Sequence, residues 1–225
     1  MIQLFVVVEG PTEEAFVKQV LVPHLRQTEI HATPIIVSTK RLYSGRKFKG
    51  GGDWKKWEAD IRRLLKSKSW GDLRVTTLFD LYGLPKNFPG LATHGGVPDT
   101  SKRCRLLEEA MGNLFDDPRF IPYLQRHEFE ALVLAGLSEL RGVLSSTEDL
   151  TGLDALEKDI GATAPEDIND GEDTHPSKRL EHHIPAYHKV THGAHATSSL
   201  GINELRSRCP RFNEWLKKLE SCDTL

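Results

Sequence analysis

A chain of 225 residues, 38% hydrophobic and 28% charged with a net charge of −2, can bury a substantial core as one domain with an appendage or as two small domains. It contains no run of about 18 apolar residues, which argues against a membrane-spanning helix. Its opening apolar run lacks the basic flank and small-residue cleavage site of a signal peptide. Three widely spaced cysteines, Cys104, Cys209 and Cys222, form no CxxC pair, so a disulfide framework or thiolate zinc site is not expected and a reducing cytoplasm is the natural compartment.

Residues 3–8, QLFVVV, read as a parallel strand buried on both faces. EGPTEEAF then turns the chain, with Thr12 as the expected helix cap and Glu13 and Glu14 at the helix's positive end. Phe16, Val17, Val20 and Leu21 recur at helical spacing until Pro23 kinks or limits that helix. A second strand is expected at 33–38. The glycine-rich, basic stretch up to Asp53 reads as a mobile loop, and a helix from Trp54 to Ser67 follows, with Trp57, Ile61, Leu64 and Leu65 on one face. Leu73 to Phe79 form a third strand ending at Asp80. After an irregular stretch, a helix begins near Ser101, a fourth strand covers Arg119 to Leu124, and HEFEALVLAG turns helical. Alternating strands and helices predict an α/β fold with a parallel sheet over 1–136. The polar, strandless remainder, 137–225, reads as a helical C-terminal extension.

Charge is unevenly spread. Lys40 to Lys68 hold 11 Lys and Arg against 3 acids, whereas Ser145 to Asp173 hold one Lys against 10 acids. Arg46, Lys47, Lys49 and Lys55 are therefore candidate contacts to DNA or RNA; the alternative is a solvated helix face beside a loop. Gly50-Gly51-Gly52 is no phosphate-binding loop, since GxxxxGK[ST] is absent. Trp54 and Trp57 could stack on bases, but Trp57 fits a buried helix face.

In a parallel sheet the carboxyl ends of the strands share one edge, where ligands bind. Glu9 ends the first strand, Asp80 the third, and Glu128 and Glu130 follow the fourth. Converging carboxylates call for a cation between them, and hard oxygen donors suit Mg²⁺ or Mn²⁺. We therefore read Glu9, Asp80 and Glu128 as metal ligands, Glu13 as ligand or base, His127 as a proton or metal partner, and Lys178 or Lys189 as phosphate-steadying cations. Each has a plainer use, as cap, packed ring or surface lysine. His182, His183, His188, His192 and His195 are dense, yet match no familiar zinc spacing.

Glu9-Gly10 within VVEGPTE, and Asp80 after the third strand, resemble the Toprim domain of topoisomerases, bacterial primases and OLD-type nucleases. The family's Asp-x-Asp is here Asp80-Leu81-Tyr82, so Tyr82 stands in for the second aspartate. VVEGPTEE, FDLYGLP, PYLQRHEFEALV, PSKRL…PAYHK…HG and CPRFNEWLKKL resemble, over nearly the whole chain, a bacterial Toprim-like family of unknown function. The resemblance implies a metal-dependent nuclease working beside an ABC-type ATPase in anti-phage defence, or a non-catalytic subunit of such a complex.

Overall fold

The computed structural model describes residues 1–37, 53–67, 72–168, 171 and 174–221. Arg46, Lys47, Lys49 and the loop expected around them lie outside the described residues. The expected first strand is β1, Ile2–Val8. Its run of valines needs apolar cover on both faces and has it: Leu4, Val6 and Val8 join one core cluster and Val7 the other. The helix after it runs as α1 (Pro11–Phe16), a π turn (Val17–Leu21) and α2 (Val22–Leu25). Thr12 is not its cap. The cap is Gly10, with Pro11 in the first turn, and the Glu13 side chain reaches back to the Gly10 N–H at 2.9 Å. Pro23 cannot donate to a helical ladder, and the wider π turn, with Val22 N–H on the Val17 carbonyl, carries the helix through to it.

The second strand, β2, spans Ile30–Ile36, three residues earlier at its start than expected. Helix α3, Trp54–Leu65, is capped by Asp53 and presents Trp57 and Ile61 to the core. The third strand, β3, runs Asp72–Asp80. A short α4 (Leu91–His94) and the long α5 (Thr100–Phe115), capped by Asp99, follow. The expected fourth strand is split: β4 (Phe120–Ile121) and β5 (Leu124–Gln125) flank Pro122, and both pair with β3. Pro122 cannot donate to a ladder, and the hydroxyls of Thr76 and Thr77 bridge the gap by donating to the carbonyls of Ile121 and Tyr123.

The five strands are parallel in the order β2-β1-β3-β4, with β5 also on β3. The chain moves from β1 outward to β2, returns to β3 on the other side of β1, and continues outward. The strand order therefore reverses between β1 and β3, and their carboxyl ends frame the crevice where open α/β sheets bind ligands. Phe16, Val17 and Leu21 lie in one core cluster, while Trp57 of α3 and Leu107 and Met111 of α5 lie in the other. The two clusters cover opposite sheet faces.

The remaining helices are α6 (Glu130–Ala135), α7 (Thr147–Ile160), α8 (Pro176–His183), α9 (Lys189–Leu200), α10 (Ile202–Arg208) and α11 (Pro210–Glu220). They pack on the α1 side: Leu153, Leu180, Ala196, Phe212 and Trp215 share a cluster with Leu4 and Val6. Trp215 stacks on Tyr123 at 4.4 Å and donates to the buried Thr76 hydroxyl at 2.8 Å. Trp54 and Trp57 are buried core rings, as the helix phase implies. Cys104 and Cys209 are buried free thiols. Among the described residues, no helix is long and apolar enough to cross a membrane.

Candidate active site

The carboxyl ends of β1 and β3 are stitched together by acids. Glu9, just past β1, accepts the Asp80 N–H at 2.7 Å through Oε1. A methyl group on Gly83 would lie 2.8 Å from the other Glu9 oxygen, so a side chain there would require the Glu9 carboxylate to shift. Asp80 in turn accepts the Phe129 N–H at 2.8 Å. Tyr82 N–H donates to the His127 carbonyl at 3.1 Å. Residues 127–130 thus lie alongside 80–82, and His127 takes the left-handed φ of +65° at the bend.

Two further carboxylates close the group. Glu13 is 7% exposed and Glu130 is 3% exposed. Lys189, at the start of α9, places Nζ 2.9 Å from Glu130 Oε1. Burial pushes the Glu9 carboxyl up to about 8, opposed by the Asp80 N–H and reinforced by the charge of Glu13. Burial likewise lifts Glu13 to about 7, with Glu130 adding to the rise. Asp80 is held well above the usual carboxylate range by burial and then by Glu9, Glu13, Glu130 and Glu128. Glu130 is raised by burial, against the pull of Lys189. Four buried acids therefore lie near one sheet edge, with Lys189 beside Glu130, and their burial favours the protonated carboxyls.

Of the expected site residues, Glu9, Glu13, Asp80 and Lys189 come together. Glu128 faces elsewhere: its Oε2 accepts from His175 Nδ1 at 2.9 Å and from the Ser177 N–H at 3.0 Å, at the start of α8. Lys178 pairs with Glu181 at 3.0 Å. Glu181 lies 3.9 Å from Lys189, so Lys178 sits one ion pair away from the group. His127 is buried, with Nδ1 3.1 Å from the Tyr82 hydroxyl. Lys55 is exposed in the first turn of α3. His188 caps α9, and His182 packs edge-on against His183. Among the described residues, no group of three or more His, Cys, Asp or Glu side chains is placed to hold one metal ion. Instead Glu9, Glu13 and Asp80 each spend an oxygen on a backbone N–H.

Glu130 joins the group more fully than Glu128, and sequence spacing alone does not separate them. What does is the left-handed bend at His127, which sets the phase of the segment. His175 carries one sequence signal, the helix start His-Pro-Ser at 175–177.

A family model described as a domain of unknown function, DUF4276, matches residues 8–220. No curated protein matches the chain. Two structures of the C-terminal region of the Xanthomonas campestris pv. campestris OLD protein are similar at 14% identity. One, phased with mercury, covers 99% of this chain and 98% of its own with a TM-score of 0.41. The other, phased with iodine, covers 98% and 97% with a TM-score of 0.34.

Proposed function

We propose that this chain, which belongs to the DUF4276 family, is a Mg²⁺- or Mn²⁺-dependent phosphodiesterase acting on DNA or RNA. The observation that carries the reading is the meeting of Glu9, Glu13, Asp80 and Glu130 at the reversal point between β1 and β3. Their donor chemistry suits a hard divalent cation, because every group offers carboxylate oxygen and burial raises every carboxyl, even with Lys189 beside Glu130. Glu9 and Asp80 would hold the ion, with Glu13 and Glu130 beside them. Bound there, it supplies charge neutralisation and activation of water.

The chain's own groups do the rest. Glu13, titrating near 7, can hold or release a proton at working pH. Lys189 offers a positive Nζ, shared with Glu130, to a phosphate oxygen. The Asp80 N–H holds the Glu9 carboxylate at the sheet edge, and Gly83 leaves it room. His127 also borders an open cleft of about 430 Å³ lined by Asp99, Arg126 and Asp167, with Arg126 paired to Asp167. By the resemblance noted above, an ABC-type ATPase is the proposed partner, in anti-phage defence.

A non-catalytic reading draws on one residue. Tyr82 stands where the resemblance expects a second aspartate, and its hydroxyl engages His127. Melting curves with and without Mg²⁺ or Mn²⁺, beside a cleavage assay run with and without a candidate ABC-type ATPase, separate the two. The phosphodiesterase reading expects a metal-dependent rise in melting temperature together with strand cleavage. Melting that ignores both metals, and no cleavage with the partner present, would leave the scaffold reading.

A further inference from the structure

The turn Leu81–Gly83 leaves β3 directly after Asp80. Leu81 goes inward, into the core cluster that holds Trp57 and Leu107. Gly83 lies against the Glu9 carboxylate, since a methyl group there would stand 2.8 Å from Glu9 Oε2. Between them Tyr82 is 40% exposed. An aromatic ring left in water forgoes the stabilisation that burial would bring, so its place at the sheet edge beside the acids calls for a use.

Its contacts hold the ring in one orientation. The Tyr82 N–H donates to the His127 carbonyl at 3.1 Å, and the hydroxyl lies 3.1 Å from His127 Nδ1. The His127 ring stands 5.4 Å away at 53° and the His175 ring 6.2 Å away at 77°. His127 is itself buried, with its backbone set at the left-handed bend. A flat ligand therefore meets a preformed surface and need not order the side chain on binding.

Position decides what that ligand is. Two residues span no more than about 7 Å, so Tyr82 lies within about one nucleotide of a phosphate held at Asp80. The flat group at that distance is the base of a neighbouring nucleotide. In a duplex such a base is paired and stacked inward, whereas in a single strand it can turn onto a protein ring. We infer that Tyr82 is the stacking platform for a base flanking the scissile phosphate, and that the substrate is single-stranded DNA or RNA. The inference rests on the function proposed above. Every base has a π-face, so this contact selects for an unpaired base and not for a sequence.

The test measures binding first, by fluorescence anisotropy on the full chain with Ca²⁺. The probes are a short labelled oligothymidylate and an abasic strand of the same length. Both carry the same phosphates, so the basic segment contributes equally to each. The unmodified chain should bind oligothymidylate about 5- to 100-fold more tightly than the abasic strand. Tyr82→Ala should lose that preference, with melting temperature, abasic-strand affinity and Mn²⁺ binding unchanged, and Tyr82→Phe should keep it within about twofold. With Mn²⁺, the unmodified chain should cut the single strand faster than a duplex of the same sequence. Equal affinity of the unmodified chain for the two strands overturns the inference without recourse to a variant. So does a folded Tyr82→Ala that keeps the preference, or faster cutting of the duplex. A chain that binds oligothymidylate through Tyr82 but cuts no strand with Mn²⁺, with or without a candidate ABC-type ATPase, overturns the proposed function and this role with it.

Discussion

Glu9 and Glu13 titrate where most carboxylates are already ionised, and the sign of the consequence is fixed. Both folded values, about 8 and about 7, lie above the ordinary 4.5. Their contribution to stability is therefore fully present below about pH 4.5 and is lost as pH rises through 7 and 8. The metal-free protein should lose stability across that window, and Mg²⁺ or Mn²⁺ should flatten the loss, since binding needs the deprotonated acids. Glu9→Gln keeps an oxygen for the Asp80 N–H but removes the charge. At pH 9 without metal it should raise the melting temperature by about 2–4 °C, the shift that about 1 kcal/mol brings in a chain of this size, while abolishing the metal's stabilising effect. Calorimetry over pH 5–9 checks both, and a Gln variant that melts lower and still responds to Mn²⁺ would return Glu9 to a structural role. Glu9 and Asp80 were legible in sequence because each follows an apolar strand. The His175–Glu128 contact was not, because its two ends lie 47 residues apart.

At the scale of elements, the strands and helices up to α5 follow from periodicity and caps within a few residues, except the short α4, which falls in the stretch expected to be irregular. The departures have local causes. Pro122 splits the fourth strand, and the reach of Glu13 back to Gly10 displaces Thr12 as cap. The helices after residue 136 were legible only as a helical region, because their order of packing depends on close backbone approaches that no period reveals. Gly152 of α7 is the tightest: a methyl group there would stand 1.7 Å from the His183 carbonyl oxygen at the end of α8. Gly152→Ala must push α7 and α8 apart and should cost about 1–3 kcal/mol, the usual range for overpacking. Denaturant melts at fixed metal concentration measure this. A variant as stable as the parent would show that the two helices shift freely.

For the whole molecule, the net charge of −2 conceals the basic stretch from 40 to 68. If that stretch follows a phosphate backbone, affinity for DNA or RNA should fall steeply with salt, by about 0.9 in log K per log unit of salt for each duplex phosphate neutralised. Reversing the charge at Arg46, Lys47, Lys49 and Lys55 should weaken binding to unrelated sequences alike and make the salt slope shallower. Fluorescence anisotropy from low to physiological salt checks this, and a slope unchanged by the four reversals would place the footprint elsewhere. The sheet itself depends on residues far along the chain. Trp215 of α11 bonds Thr76 of β3 across 139 positions, and Lys189 arrives at Glu130 only with α9. During synthesis the acids at the sheet edge are therefore made long before their lysine, and one sheet face waits for α11 to cover it. A nascent chain holds an exposed apolar surface with an unbalanced negative pocket, the sort of intermediate that engages chaperones.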